Sequence, residues 1–234
     1  MRSFELSEQF INFDEIYPES ENFVQVAKKA SYQEKLEIAC LWLSEGIPYA
    51  FKQCPILYET IRGWLARNFD IHPKEITLIG SARIGYSLAP PPELGRSFNI
   101  NSDLDFSIIS EKLFVQCTEM FRQWSEDYTK KIVLPNNPTE KYFWDYNLEF
   151  VPKNINNGFI DPHKIPLRDR YPIVQKIARV RWLLQKKLKL TKNAPVAVKT
   201  SFRVFSDWKT FIRQIIINLN HTIKAINNGS GSLV

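Results

Sequence analysis

Two short β-type runs, joined by a turn and a proline-rich loop, constrain this chain more than any other feature. The first run, 76–79, ends in Gly80 and Ser81, and the second contains Asp103 and Asp105, two residues apart. Because residues i and i+2 of a strand project from one face, both carboxylates are predicted to point the same way, with their apolar neighbours facing a core. The stretch therefore predicts a strand, a turn into a short helix, and a second strand with an acidic face.

The residue types on this acidic face suit magnesium and phosphate. The carboxylates of Asp103 and Asp105 are hard oxygen ligands of the kind that Mg²⁺ prefers, and substrate phosphates usually complete that ion's shell. A Gly-Ser turn that opens a helix offers backbone N–H groups and the hydroxyl of Ser81 to the same phosphates. The sequence thus predicts one pocket that holds Mg²⁺ and a polyphosphate.

In this order, the motifs resemble those of the nucleotidyltransferase superfamily typified by DNA polymerase β, and especially its small bacterial minimal members. The resemblance covers roughly residues 55 to 110 and rests on Gly80-Ser81, Gly85 and Ser102-Asp103-Leu104-Asp105. The chain departs from the family pattern in two ways. The 21 residues between the turn serine and the first aspartate are more than usual, and the family's third carboxylate has no clear counterpart.

The resemblance implies a Mg²⁺-dependent enzyme that moves a nucleoside monophosphate from a nucleoside triphosphate to an RNA or protein acceptor, for example in a toxin–antitoxin or defence pair. It implies that Asp103 and Asp105 are the catalytic metal ligands, and that Gly80 and Ser81 hold phosphates. The alternative is a catalytically silent module of the same fold, which binds nucleotide or nucleic acid through its basic C-terminal region. A third acid beside the two aspartates favours the enzyme, whereas an empty or lysine-filled place favours the module.

Further residues are candidates for the same site. Arg83 is expected to contact phosphate, because a guanidinium binds phosphate oxygens bidentately, whereas Arg96 is within reach but is expected to be a surface residue. Glu149 is the candidate for the third carboxylate, with Asp145 and Asp207 behind it.

The order of elements predicts an α+β fold with a small mixed sheet, flanking helices and helical additions at both ends. We expect an N-terminal arm at 1–30, a core with the metal site at 31–133, a second part of the same compact unit at 134–228, and a flexible tail at 229–234.

Within that second part, residues 134–166 are expected to form an irregular insertion with a strand-like run at 148–151. A strand at 196–205 occupies the position at which the family carries its third carboxylate, yet it contains no acid. Periodic apolar residues predict helices at about 32–45, 55–69, from 112 onwards, 172–189 and 206–227.

The net charge of +6 is distributed unevenly along the chain. Residues 164–213 hold fourteen bases against two acids, whereas residues 1–21 hold six acids against one base. A basic region favours a polyanionic partner such as RNA, DNA or a nucleoside triphosphate. A solvated basic helix that only confers solubility explains the same composition.

Other classes of protein are disfavoured. The three cysteines are odd in number and far apart, which argues for free thiols in a reducing cytoplasm rather than for disulfides or zinc. No apolar run approaches the ~18 residues that span a bilayer, so we expect a cytoplasmic protein with no membrane partner. No P-loop, EF-hand or histidine-based triad is present. The sequence does not specify an oligomeric state.

Overall fold

The computed structural model describes residues 7, 10, 13, 15–197 and 199–229, and within them it contains eight α-helices and four β-strands. The helices are α1 (Ser20–Lys29), α2 (Tyr32–Leu41), α3 (Pro55–Phe69), α4 (Ser81–Ile84), α5 (Glu111–Thr129), α6 (Pro138–Asn156), α7 (Pro172–Leu190) and α8 (Trp208–Gly229). The strands are β1 (Ile76–Ile79), β2 (Leu104–Ile109), β3 (Phe159–Ile160) and β4 (Thr200–Phe205). In this described part of the chain, no helix is both long enough and apolar enough to cross a membrane.

The four strands form one mixed sheet in the order β1-β2-β4-β3. Strand β2 pairs antiparallel with β1 and parallel with β4, and β3 pairs antiparallel with β4. Because β2 and β4 belong to the two predicted parts of the chain, 31–133 and 134–228, these parts share one sheet. The predicted α+β fold with a small mixed sheet and flanking helices is confirmed.

The side chains of β2 alternate between two helical layers. Leu104, Phe106 and Ile108 are fully buried in a core shared with α3, α5, α6 and α7. Ile109 points to the opposite face and packs in a second core with α1, α2 and α8. The sheet is therefore covered on both faces, and Asp105, which alternates with Leu104 and Phe106, lies on the α8 side.

Part of the predicted N-terminal arm, 1–30, is helical. Residues 20–29 form α1, which buries Phe23. Phe13 packs against Trp42 with ring centroids 4.8 Å apart, so aromatic residues of the arm do pack on the core. The predicted flexible tail, from residue 230 onwards, lies outside the described residues.

The predicted irregular insertion is wrong over most of its length, because it contains the long helix α6. Asn137 begins the helix, with its side-chain oxygen accepting a hydrogen bond from the N–H of Glu140 at 2.8 Å, and Pro138 occupies the first turn. Trp144 and Val151 lie on its buried face. The apolar residues at 148–151, which suggested a strand, are also compatible with one face of a helix. The length of the whole segment distinguishes a helix from a strand.

The start of α8 differs slightly from prediction, because Asp207 rather than Ser206 caps it. The N–H of Thr210 donates to Oδ1 of Asp207 at 2.7 Å. Hydrogen bonds lower the pKa of Asp207, with the one from Ser206 contributing most and the one from Thr210 next. This carboxylate therefore serves to cap the helix.

The three cysteines are free thiols, as predicted. Burial raises the pKa of Cys117 to about 12, so this thiol is protonated at neutral pH.

Replacing Phe106 tests the central position of β2. This side chain is 0% exposed and packs against Phe202, so Phe106→Ala leaves a cavity and is expected to lower the free energy of unfolding by about 3–5 kcal/mol. The matched control, Phe143→Ala, removes a ring that is 55% exposed and should cost less than about 1 kcal/mol. Urea denaturation of both variants measures the difference, and equal losses would contradict the assigned core.

Candidate functional site

A cavity of about 490 Å³ lies where β1 ends and β2 begins. It is lined by Gly80, Ser81, Asp103 and Asp105, so the turn and the acidic pair come together in one place. The strand register explains why, because Ile79 at the end of β1 lies opposite Asp105 of the antiparallel neighbour. The turn that follows Ile79 must therefore begin beside the carboxylates.

Gly80 has a backbone conformation that other residues rarely adopt. Its φ of 69° and ψ of −153° fall in a region that is essentially restricted to glycine. A Cβ built on this residue would lie 3.9 Å from Oδ2 of Asp105, which is ordinary contact, so the backbone rather than crowding requires the glycine. This conformation turns the chain from β1 into α4 and brings Ser81 to the cavity.

The remaining walls come from the proline-rich loop and from α8. Leu88 and Arg96 of the loop line the cavity, as do Asn218 and His221 of the helix. Thr222 donates a hydrogen bond to the carbonyl of Leu88 and so ties the loop to the helix. The contribution of α8 was not predicted from the sequence. Its polar positions 218, 221 and 222 recur at helical spacing beside the apolar stripe. This pattern is the signal that would have indicated that a second face of α8 lines a site.

A serine of β4 and the lysine that directly precedes this strand lie beside the two acids. Ser201 is the register partner of Asp105 and donates a hydrogen bond to its Oδ1 at 2.5 Å. Nζ of Lys199 lies 3.3 Å from Oδ2 of Asp103. Among the described residues, no three His, Cys, Asp or Glu side chains group together in a way that could hold a metal ion. The place expected for a third acid is therefore occupied by Ser201 and Lys199.

The two aspartates fit a hard cation that takes few protein ligands. Mg²⁺ is commonly held by one or two carboxylates, with water and phosphate oxygens completing its octahedral shell. Lys199 is largely exposed, and the surface ion pair it makes with Asp103 is of the kind that contributes only about 0–1 kcal/mol. A divalent ion can therefore displace this ammonium, and Asp103 and Asp105 are the residues that would hold it.

The two arginines differ in their position relative to the cavity. Arg83 is only 3% exposed and does not line the cavity; its guanidinium donates to the carbonyls of Ile47 at 2.6 Å and Leu41 at 3.1 Å. Burial lowers the pKa of Arg83. Those carbonyls hold both terminal nitrogens of Arg83 away from the cavity, so the structure does not place this residue where the predicted phosphate contact requires it. Arg96, predicted to be an ordinary surface residue, lines the cavity and pairs with Glu93 at 3.0 Å.

The candidates for a third carboxylate lie elsewhere. Glu149 is exposed on α6 and pairs with Lys153 at 2.8 Å. Asp145, on the same helix, pairs with Lys141, which lowers the pKa of Asp145. Neither residue lines the cavity, and Asp207 caps α8. Glu149 lies on a helix instead of the predicted strand-like run at 148–151, and the structure does not bring it to Asp103 and Asp105.

No protein-family model, curated protein or solved structure matches this chain. The resemblance to nucleotidyltransferases therefore rests on the motif residues, and the function has to be argued from the geometry of the cavity.

Substituting Gly80 tests the special turn. Gly80→Ala is expected to lower the free energy of unfolding by about 1–3 kcal/mol, because alanine is strained at this φ and ψ. Gly63→Ala provides the matched control, since Gly63 lies inside α3, where an added Cβ would make only an ordinary contact of 3.6 Å with Nη1 of Arg67, and alanine should stabilise that helix by about 0.5–1 kcal/mol. Denaturant unfolding of both variants should give shifts of opposite sign, and two shifts of the same sign would contradict the assigned conformation.

Proposed function

We propose that the cavity binds a nucleoside triphosphate as its Mg²⁺ complex. The observation that carries the proposal is the convergence of Ser81 with Asp103 and Asp105 in one cavity of about 490 Å³. Mg²⁺ held by the two aspartates would supply the positive charge that neutralises the phosphates. Ser81 and the backbone N–H groups of the turn offer neutral hydrogen bonds to the same oxygens.

The shape and lining of the cavity suit the nucleoside as well as its phosphates. Pro90 of the loop and Ile215 and Leu219 of α8 provide apolar surface for a flat base. Asn218 and His221 provide hydrogen-bonding groups on the same wall. Small-molecule sites typically have about 300–1,000 Å³ and combine apolar walls with a few polar groups, and this cavity is within that range.

Charge makes the metal a requirement for binding. Without it, the carboxylates of Asp103 and Asp105 would face the phosphates and repel them, since like charges at close range are unfavourable. Arg96 adds one cation to the lining but already pairs with Glu93. Nucleotide binding is therefore expected to depend on Mg²⁺ far more than an arginine-rich phosphate site would.

Two functions remain for a site of this kind, and β4 favours one of them. The family's third carboxylate normally helps to activate the attacking hydroxyl, and here Ser201 and Lys199 stand beside the acids. We therefore infer a nucleotide-binding module of nucleotidyltransferase type in preference to a transferase. Transfer of a nucleoside monophosphate to an RNA or protein acceptor is the second candidate, which the order and convergence of the motifs favour.

Nucleotide binding is tested by equilibrium dialysis with each labelled nucleoside triphosphate. Binding is expected with Mg²⁺ and not with excess chelator. The double variant Asp103→Asn/Asp105→Asn should weaken it at least about tenfold, because both charged ligands are lost. The control Asp145→Asn/Asp169→Asn removes two acids that do not line the cavity and should bind like the parent chain. Binding that survives chelation, or equal losses in both double variants, would overturn the proposal.

Incubation with Mg²⁺, labelled triphosphate and total RNA or protein separates the module from the transferase. A binding module leaves both acceptors unlabelled while dialysis shows retention of the nucleotide. Label transfer that disappears in Asp103→Asn/Asp105→Asn would instead establish the second candidate.

Lys199→Met tests whether the ammonium competes with the metal. Removing a surface ion partner of Asp103 worth about 0.2–1 kcal/mol should raise the Mg²⁺ affinity by a factor of about 1.4 to 5. Lys192→Met is the control, because it removes the same charge from a residue that does not pair with Asp103. Calorimetric titration with Mg²⁺ in the presence of nucleotide measures both, and an unchanged or weaker affinity in Lys199→Met would count against the competition.

A further inference from the structure

The solvent-exposed side of α7 carries unpaired positive charge along its whole length. The helix contains six basic residues and no acid, namely Lys176, Arg179, Arg181, Lys186, Lys187 and Lys189. Within the described chain, none of the six lies within 4.0 Å of a carboxylate. Exposed bases of α6 are different, since Lys141 and Lys153 each pair with an acid one turn away.

A large aromatic ring lies in the middle of this charged stripe. Trp182 is 54% exposed, and it follows Arg179 by three positions and precedes Lys186 by four, so all three share one face of the helix. Nζ of Lys186 lies 3.9 Å from the centre of the ring, and Trp182 remains more than half exposed with this cation beside it.

The stripe borders a concave surface. A groove of about 550 Å³ is lined by Lys176, Arg179 and Trp182 of α7 and by Arg168 from the preceding turn. Asp169 is the one acid in its lining, and it lies 3.9 Å from Arg168. The groove therefore joins cationic side chains to an aromatic platform.

We infer that the α7 face, defined by Lys176, Arg179, Trp182 and Lys186 with the adjoining groove, binds single-stranded nucleic acid. Phosphates are matched by the unpaired cations, and a base stacks on the indole, which is the combination that recognises single strands without a sequence code. A duplex offers phosphates but keeps its bases stacked inside, so it cannot use Trp182. This surface is separate from the nucleotide cavity, because α7 and α8 cover opposite faces of the sheet.

Fluorescence anisotropy of labelled homopolymeric RNA and DNA strands with the full chain tests the inference. Single strands of either sugar should bind more tightly than a duplex of the same length. Trp182→Ala should lower the affinity at least about fivefold through the lost stacking. Trp208→Ala is the matched control, since Trp208 is also exposed but lies on α8, and circular dichroism checks that each variant is folded.

A pair of substitutions that removes two positive charges provides a second, independent measurement. Arg179→Gln/Lys186→Gln should weaken binding and reduce the slope of log affinity against log salt by about 1.4, for two phosphate contacts to a single strand. Lys130→Gln/Lys153→Gln changes the net charge equally at bases already paired with acids, and should leave the slope unchanged. The inference would be overturned if the two double variants had equal effects, or if the duplex bound as tightly as the single strand. It would also be overturned if Trp182→Ala kept the full affinity, or if the chain bound anionic lipid vesicles and RNA did not compete with that binding.

Discussion

The parallel pairing of β2 with β4 is the interaction on which the rest of the structure depends. It joins residues 96 positions apart, such as Asp105 and Ser201, and places β2 in the middle of the sheet. On one face of the sheet, this pairing brings Phe106 into contact with Phe202 in the core shared with α3, α5, α6 and α7. On the other face it brings the side chains of β4 to the acidic pair. One set of backbone hydrogen bonds therefore fixes both the packing of the core and the chemistry of the cavity.

The carboxylates of the cavity have partners within the protein, and their arrangement also suits a bound metal ion. Ser201 of β4 is the partner of Asp105, and Lys199, which directly precedes β4, is the partner of Asp103, so neither carboxylate is left unpaired. The serine is held within the ladder, whereas the lysine is long and exposed. A metal ion bound here, as proposed, would displace the exposed lysine and leave the serine in place.

Local patterns predicted the parts of the site that local structure determines. Alternation along β2 placed both acids on one face, and the Gly-Ser turn followed β1 as expected. The side chain opposite Asp105 was not predictable, because it depends on the register of strands far apart in sequence. The direction of Arg83 was not predictable either, since a four-residue helix has no stripe of its own and the carbonyls of Leu41 and Ile47 decide it. For α6, by contrast, the signal was present in Asn137 and Pro138.

The sheet also separates the two proposed binding surfaces. Helices α7 and α8 pack on its opposite faces. The basic stripe with the exposed tryptophan therefore lies on one side of the sheet, and Asp103 and Asp105 line the cavity on the other side. A polymer lying along α7 would have to travel round an edge strand, β1 or β3, before its end could meet a ligand in the cavity. Occupancy of either face would then leave the other physically accessible, and the same molecule could hold a small anion and a long one at once.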